Sequence, residues 1–252
     1  MLEVNGISSD ELRLIENHLS NKVKRIIHSM KVTLLGHLEI FVARRIDAVI
    51  VVTQGIGDYL SNHGIDKNKI WLVKNGVNTE LFKPSGDNTI LKELKNRLHI
   101  VNDENVVVFV GNLAPWQGVE YLIHAASLIV KEKQKVKFLI VGDGIMKEKL
   151  ESLSKELNME HSIVFTGIVP YEEVPKYINL SDVCVAPFIR ARNESIGLSP
   201  LKLYEYAACG KPVVASNILG VGDFLEDSNS GIAVKPEDSA ELAKAITLSL
   251  IH

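Results

Sequence analysis

Short runs of almost wholly apolar residues recur along the chain from residue 47 onward, and segments with helical spacing separate them. Runs without alternating polar residues are typical of parallel strands buried on both faces, whereas apolar residues three and four positions apart are typical of helices. The pattern therefore predicts an α/β fold with a doubly wound parallel sheet. The predicted strands are 47–53, 105–110, 136–141, 162–165, 182–186 and 212–215, and the predicted helices are 118–131, 145–157, 171–180 and 200–208.

The first hundred residues follow a different pattern. Residues 9–38 have strong helical character, and only 47–53 reads as a clear strand in this region. Because one strand cannot make a domain, we predict that residues 1–73 are the remnant of an N-terminal α/β lobe. Residues 74–87 are then a linker, and residues 88–252 form a Rossmann-like domain.

The helix predicted near the N-terminus is basic and amphipathic. Two interpretations remain open: it makes peripheral contact with an anionic membrane, or it packs against protein and turns a solvated basic face outward. Apolar residues in its second half would also favour self-association if they were exposed. The apolar positions are Val23, Ile26, Ile27, Met30, Leu34, Leu35, Leu38, Ile40 and Phe41, and the basic ones are Lys22, Lys24, Arg25, His28 and Lys31.

Composition and charge exclude several classes of protein. With 252 residues the chain can form one large or two unequal units, and its net charge of −3 gives no reason to expect nucleic acid. Cys184 and Cys209 have neither metal-ligand spacing nor the pattern of a disulfide framework. We see no secretory leader and no run near the roughly 18 apolar residues of a membrane span. These features predict a cytoplasmic protein, with the inner membrane surface as a second location.

Residues 197–208 combine the start of a helix with a lysine and a carboxylate. Ser199 is predicted to cap the helix, and Pro200 suits its first turn. The free N–H groups of that turn, the helix dipole and Lys202 together favour a diphosphate. Glu205, one turn later, is suited to accept hydrogen bonds from sugar hydroxyls. The alternative is an ordinary helix start with an exposed pair of Lys202 and Glu205.

Familiar nucleotide motifs are incomplete in this chain. Gly142 and Gly144 lie between a predicted strand and a predicted helix, but Lys147 occupies the third glycine position of the dinucleotide fingerprint. A lone pair of glycines more often marks only a tight turn. The chain contains no phosphate-loop motif, which argues against a nucleoside triphosphatase.

Five segments stand in a characteristic order and spacing along the chain. They are VKNGVNTELFKP at 73–84, VGNLAPWQGVE at 110–120, LIVGDG at 139–144, FTGIVP at 165–170 and GLSPLKLYEYAACGKPVVAS at 197–216. Together they resemble the retaining glycosyltransferases of the GT-B fold, and specifically family 4, whose members use nucleotide sugars. The resemblance covers about 200 residues, and its specificity comes from the order and spacing of the segments.

The resemblance implies a donor-binding C-terminal lobe and an N-terminal lobe that binds a glycan, a lipid or another acceptor with a hydroxyl group. It implies transfer from a nucleoside diphosphate sugar with retention of configuration, without a metal or a cofactor. Residues 3–6 look like a family segment that normally lies deep inside the chain, and family members continue beyond the helix at 239–251. We therefore expect a fragment or a truncated gene product, which could be inactive alone.

The resemblance also implies roles for individual residues. Lys202 and Glu205 would act in catalysis, the lysine on the diphosphate and the glutamate on the ribose hydroxyls. Backbone groups at Gly167 to Val169 would read the base. Glycines near the strand ends would let the backbone approach the donor. The full set of implied donor-binding residues is Gly111, Asn112, Gln117, Gly142, Gly144, Gly167, Val169, Glu194, Gly197, Leu198, Ser199, Lys202 and Glu205.

Three departures from the family pattern affect the expected charges. Of two glutamates that are often eight positions apart, Glu205 matches the second, while the first falls at Gly197. Glu194 lies three residues too early and is either a solvated loop residue or a displaced substitute. An arginine and a lysine that commonly neutralise the donor phosphates are replaced by the neutral residues Asn112 and Gln117. Their loss raises the importance of Lys202, with the helix amides and Arg190 or Arg192 as further partners.

Two other functions remain open. One is a catalytically inactive module that binds a nucleotide sugar or takes part in assembly. The other is a nicotinamide-dependent oxidoreductase, which the incomplete glycine fingerprint disfavours.

Overall fold

The computed structural model describes residues 1–16, 22–86, 88–101, 103–132, 135–191, 193–218 and 220–251. Arg192 and the side chains of Lys22 and Val23 lie outside the described part. The chain forms two compact units, of which the first contains Met1–Asn75 and Arg190–Ser199 and the second contains Gly76–Ile189 and Pro200–His252. The sequence pattern did not separate 190–199 from the second domain.

The first unit contains a three-stranded parallel sheet with the order β1-β2-β3. The sequence pattern indicated only one strand here, because β1 and β3 have three residues each and are partly exposed, so neither forms a long apolar run. Buried Val49 and Val51 of β2 pack with Ile56 and Leu60 of α3 in a small core. The elements are β1 (Leu2–Val4), α1 (Ser8–Glu16), α2 (Lys22–Arg45), β2 (Val49–Val51), α3 (Gln54–Asn62) and β3 (Ile70–Leu72), with a 3₁₀ turn at Lys67–Lys69.

The remaining elements belong to the second unit except for one short helix, α8, which lies in the first unit. The helices are α4 (Asn88–Arg97), α5 (Val119–Lys131), α6 (Lys147–Glu156), α7 (Val174–Leu180), α8 (Asn193–Ile196), α9 (Leu201–Ala208), α10 (Val221–Asp227) and α11 (Ser239–Ile251). The strands are β4 (Asn105–Val110), β5 (Val136–Val141), β6 (Ile163–Gly167), β7 (Val183–Ala186), β8 (Val213–Ser216) and β9 (Gly231–Val234), and 3₁₀ turns occupy Pro115–Gln117 and Tyr171–Glu173.

The six strands of the second unit form one parallel sheet with the order β6-β5-β4-β7-β8-β9. The predicted doubly wound parallel sheet is therefore confirmed. The strand order reverses between β4 and β7, and ligands of such sheets bind at the carboxyl ends of the strands near this point. The loops that follow β4, β5 and β6 are therefore the candidate ligand-binding loops.

The central strands were the easiest to predict. The bounds of β4 and β5 agree with the apolar runs 105–110 and 136–141, because both strands are almost wholly buried. In contrast, β9 was missed because it is partly exposed at the edge of the sheet and begins with Gly231. A Cβ atom at Gly231 would lie 1.8 Å from the carbonyl oxygen of Val213, so glycine is needed for this strand to pair.

Candidate functional site

Glycines join the carboxyl ends of β4, β5 and β6. Gly111 and Gly142 have φ angles of 145° and 133°, and a Cβ atom at Gly142 would lie 2.0 Å from the carbonyl oxygen of Gly111. The N–H of Gly142 donates to the carbonyl oxygen of Gly167 over 3.0 Å. The three strand ends thus meet through backbone groups, which leaves room for a ligand to approach the main chain closely.

The turn after β5 packs against the loop after β4. A Cβ atom at Gly144 would lie 2.4 Å from Oδ1 of Asn112 and 2.6 Å from the carbonyl oxygen of Leu113. Lys147 forms an ion pair with Asp143 at 3.0 Å. The residue that breaks the dinucleotide fingerprint is therefore paired within its own turn.

Replacing Gly142 by alanine should lower the free energy of unfolding by about 3 kcal/mol or more, because the added methyl group overlaps a backbone oxygen at a φ angle that L-residues rarely adopt. Gly76→Ala is the matched control, since nothing lies within 4 Å of its Cβ position. Urea unfolding of both variants tests the expectation. Equal stability of the two variants would show that the strand ends rearrange easily.

Helix α9 is anchored to the end of β4 by Tyr206. The buried Tyr206 hydroxyl accepts a hydrogen bond from the N–H of Val110 over 2.9 Å. Leu203, three residues earlier, is also buried. Because residues three apart lie close together on a helix, Lys202 and Glu205 form a neighbouring pair beside this buried face.

The ammonium group of Lys202 lies at the carboxyl end of β4. Its Nζ donates to Oε1 of Gln117 over 2.6 Å and lies 4.0 Å from the centre of the Phe109 ring and 5.3 Å from that of Phe188. A Cβ atom at Gly111 would lie only 2.8 Å from the same nitrogen. Burial lowers the pKa of Lys202 to about 7, and the nearby Glu205 opposes this shift. The site therefore holds a poorly solvated cation whose charge an incoming anion would stabilise.

Glu205 points toward Tyr171 in the turn after β6. The Tyr171 hydroxyl donates to Oε1 of Glu205 over 3.3 Å, and its ring lies 5.4 Å from the ring of Phe82. Burial raises the pKa of Glu205, while the hydrogen bond from Tyr171 and the charge of Lys202 lower it. The carboxylate is thus oriented by a tyrosine that is itself in contact with a second aromatic ring.

Replacing Lys202 by methionine should raise thermal stability more at pH 6 than at pH 9. A lysine whose pKa falls from 10.5 to about 7 on folding makes the native state less stable below pH 7, and this cost decreases as the pH rises toward 10.5. Thermal unfolding of the wild type and the variant at both pH values measures the difference. An equal gain at the two pH values would mean that Lys202 titrates normally.

The structure corrects the predicted helix cap. Helix α9 begins at Leu201, its N-cap residue is Pro200, and no side chain caps it. Ser199 instead accepts a hydrogen bond from Nδ2 of Asn75 over 2.8 Å. The prediction that the Ser199 hydroxyl caps this helix is therefore wrong, because the proline that follows takes the N-cap position.

Four of the predicted donor residues lie in the first unit, in the segment Arg190–Ser199. Glu194 belongs to α8, and its exposed carboxylate lies 3.9 Å from Nε of Arg190. Gly197 has a φ angle of 75°, and its Cβ position lies 3.1 Å from Cβ of Thr53. Leu198 and Ser199 are partly buried. Donor-binding roles for these four residues stay predictions.

The second unit contains the other predicted donor residues. It brings Lys202 to Gln117 and Gly111, and it joins Gly111, Gly142 and Gly167 through their backbones. The remaining members are Asn112 and Gly144, which lie side by side, Val169 in the loop after β6, and Glu205 beside Tyr171.

Sequence reasoning missed the aromatic residues around the two charged groups. Phe109 lies inside an apolar strand, and Phe188 follows another, so both read as core residues. Tyr171 was assigned only to a helix. The only local signal was an aromatic residue directly after the motif FTGIVP, which by itself is weak. Among the described residues, no group of three or more His, Cys, Asp or Glu side chains is placed to hold a metal ion.

Comparison with known proteins places these observations in a family. The model described as "Glycosyl transferases group 1" matches residues 91–251, and the model described as "Glycosyltransferase Family 4" matches residues 13–81. The α-D-kanosaminyltransferase of Streptomyces kanamyceticus is 31% identical over 168 residues, which are 67% of this chain and 42% of that protein. The D-inositol 3-phosphate glycosyltransferase of Acidothermus cellulolyticus is 30% identical over 193 residues, which are 73% of this chain and 41% of that protein.

Solved structures agree in fold. Anabaena HepE in complex with UDP-glucose superimposes with a TM-score of 0.74 at 22% identity, over 98% of this chain and 61% of that one. Sucrose-phosphate synthase from Thermosynechococcus elongatus superimposes with a TM-score of 0.70 at 24% identity, over 95% of this chain and 57% of that one. The chain spans about half the length of the curated relatives it matches.

Proposed function

Because this chain belongs to the group 1 glycosyl transferases, we propose that its second unit binds a nucleoside diphosphate sugar and takes part in transfer of the sugar to an acceptor hydroxyl. The observation that carries the proposal is the position of Lys202. Its ammonium group lies beside Gln117 and Gly111 at the carboxyl end of β4, near the point where the strand order reverses.

The diphosphate would bind at Lys202. No side chain caps α9, and the N–H of Leu203 donates to the carbonyl oxygen of Pro200 over 2.9 Å, so the N–H groups of Leu201 and Lys202 are the ones that would bind an anion. Asn112 and Gln117 carry no charge, so the proposal assigns the phosphates to Lys202, the cation that lies beside Gly111 and Gln117. An entering diphosphate would replace the contact with Gln117 and raise the pKa of the lysine, which would keep it protonated.

The ribose and the base would lie further along the same edge of the sheet. Glu205 offers a carboxylate that Tyr171 orients, and carboxylates accept hydrogen bonds from vicinal hydroxyls. The backbone from Gly167 to Val169 follows β6 and would contact the base. Several structural neighbours were solved with UDP, which makes UDP the first nucleotide to test.

We infer retention of configuration from the family resemblance. In this mechanism the acceptor attacks on the face from which the diphosphate leaves, and the diphosphate accepts the acceptor proton. Lys202 and the amides of α9 would stabilise the negative charge that develops on the leaving group, an electrostatic role that needs no metal ion. Formation of the new glycosidic bond with the anomeric configuration of the donor, measured by NMR, is the expected result.

The acceptor would be a glycan, a lipid or another molecule with a hydroxyl group. The named relatives are transferases, so the catalytic hypothesis is preferred over an inactive binding module. Family membership also removes the reason to consider a nicotinamide-dependent oxidoreductase. A cytoplasmic location stays a prediction.

Calorimetric titration with UDP, GDP and ADP, with their sugar derivatives and with NAD as a control, tests the proposed function. We expect one nucleoside diphosphate to bind selectively and NAD not to bind. Donor hydrolysis or transfer then separates an enzyme from a binding module. If no nucleotide binds to a folded chain, the donor site assigned above is wrong.

A further inference from the structure

A basic groove lies between α1, α2 and α3 of the first unit. Its volume is about 1170 Å³, which exceeds the roughly 300–1,000 Å³ of sites that enclose a small molecule. Its described lining contains three arginines, two histidines and no carboxylate. These residues are Arg13, His37, Arg44, Arg45 and His63. The size favours an extended ligand, and the charge favours an anionic one.

Packing fixes the orientation of α2, which forms one wall of the groove. Val32 and Ala43 are 1% exposed, and Gly36 lies against Ser9 of α1, where an added Cβ would come within 3.3 Å of the serine. Both Ser9 and Gly36 line the groove. The two helices therefore meet within the groove and hold its shape.

Helix α2 also corrects one expectation from the sequence. Residues Lys24–Arg45 have a mean hydropathy of 1.3 over their most apolar window, and 11% of that window is buried. By length and composition this helix is apolar enough to cross a membrane, so the expectation that no run comes near a membrane span is wrong. The basic groove lies on the side of α2 that packs against α1.

The guanidinium groups of Arg44 and Arg45 are held in place at the end of α2. Nη2 of Arg44 donates to the carbonyl oxygen of His63 over 2.7 Å, and Cζ of Arg45 lies 3.5 Å from the centre of the Phe41 ring. Within the described part of the chain, neither group forms an ion pair with a carboxylate. A guanidinium has five N–H donors, so both arginines retain donors in the fork geometry that suits a carboxylate.

Flat rings and neutral polar groups lie among these cations. The rings of Tyr59 and His63 are 4.2 Å apart, and both residues line the groove. Thr33 and Asn62 are also in the lining. Flat rings pack against the C–H faces of sugars, and hydroxyl and amide groups form hydrogen bonds with sugar hydroxyls. The combination with arginine suits a carbohydrate that carries carboxylates.

The acidic residues of the same helices lie at other surfaces. Glu11 and Glu39 line a separate cavity beside β1, and Asp58 lines another one beside β3. Acidic and basic side chains are thus segregated on the described surface of the first unit. The groove is therefore positive, although the whole chain has a net charge of −3.

The groove is also long. Thr33 and Arg45 both line it, and a helix rises 1.5 Å per residue, so it follows α2 for about 18 Å. Ser9 follows the carboxyl end of β1, whereas Arg45 precedes the amino end of β2. Because parallel α/β sheets bind their substrates at the carboxyl ends of the strands, a chain molecule in the groove would lead toward that end.

We propose that this groove binds an acidic glycan, with its sugar carboxylates at Arg44 and Arg45 and its sugar rings along α2. This inference rests on the proposed function, because it names the class of acceptor that the first unit presents for transfer. A glycan is long enough to occupy the groove while its reacting hydroxyl lies beyond it. The arginines would then select the acceptor by its charge and take no part in the chemistry.

Calorimetric titration with short hyaluronan oligosaccharides, which carry a carboxylate on every second sugar, tests the proposal. We expect binding, and we expect neutral dextran of the same length to bind at least about tenfold more weakly. Arg44→Gln with Arg45→Gln should reduce the affinity for hyaluronan at least about tenfold. Lys149→Gln with Lys155→Gln removes the same charge from exposed positions of α6 and should leave the affinity unchanged.

Thermal unfolding shows whether each variant is folded. If loss of the contact between Arg44 and His63 unfolds the first unit, Arg45→Gln alone carries the test, because its guanidinium lies over the exposed Phe41 ring. The single variant should still reduce the affinity for hyaluronan about threefold or more.

Three results would overturn the proposal. They are absence of hyaluronan binding by the folded wild type, equal binding of dextran, and tighter binding of polyglutamate, which would assign the groove to an acidic polypeptide. The nucleotide titration keeps the two proposals separate, because these arginines belong to the first unit and Lys202 to the second. A chain that binds a nucleotide but not hyaluronan refutes only the acidic glycan, and the reverse result refutes only the donor site.

Discussion

Replacing Lys202 by alanine should weaken binding of the donor diphosphate about 10- to 100-fold, because hydrogen bonds to charged groups contribute about 1.5–3 kcal/mol each. The expected loss is large because Asn112 and Gln117 provide no substitute charge at the end of β4. Calorimetry with UDP and its sugar derivatives measures the affinity. Where a donor is turned over, kcat should fall further, since the charge on the diphosphate grows in the transition state.

Lys211→Ala is the matched control, because its ammonium group is also partly buried and donates to a backbone oxygen, that of Ser181, over 2.7 Å. It lies before β8, away from the carboxyl ends of the strands, and should leave donor affinity unchanged. If Lys202→Ala and Lys211→Ala bind the donor equally well, the assignment of Lys202 fails.

The pH dependence of donor binding gives a second signature of Lys202. Its pKa of about 7 in the free protein means that the ammonium form, which the diphosphate needs, becomes less populated above pH 7. The affinity for a nucleoside diphosphate sugar whose sugar is uncharged should therefore be highest below pH 7 and fall above it. Lys202→Arg, which stays protonated, should bind with little dependence on pH in this range.

Replacing Glu205 by alanine should weaken nucleotide binding about 10-fold or more by removing an acceptor for the ribose hydroxyls. The loss should disappear for the 2′,3′-dideoxy analogue, because that ligand lacks the groups that the carboxylate would bind. Tyr171→Phe should produce a smaller loss of the same kind, since it removes only the hydrogen bond that orients Glu205. Affinities of both ligands for the wild type and the variants measure these effects.

A variant that carries both Tyr171→Phe and Glu205→Ala tests whether Tyr171 orients Glu205 or contacts the nucleotide directly. If Tyr171 acts through Glu205, adding Tyr171→Phe to Glu205→Ala should cost nothing further. Glu241→Ala, at the start of α11, is the control for a glutamate outside the site. Equal losses for the natural and the dideoxy nucleotide would assign Glu205 to folding and not to ribose binding.

The sequence by itself determined the second unit to a large extent. The wholly apolar runs at 105–110 and 136–141 became β4 and β5, because a strand buried on both faces has a local pattern that each residue helps to define. The glycines that follow these strands were also recognisable, since a close backbone approach requires glycine whatever the rest of the chain does. Short or partly exposed strands such as β1, β3 and β9 lack such a pattern.

Only the tertiary structure decided how the charged groups are arranged. Lys202 contacts a residue 85 positions away, and Tyr206 contacts one 96 positions away, so both contacts depend on the order of the strands. The sequence did not reveal the aromatic residues around Lys202 or the hydrogen bond between Tyr171 and Glu205. A local sequence pattern records which residues are buried along one element, whereas a binding surface is formed where several elements meet, and that arrangement exists only in the folded chain.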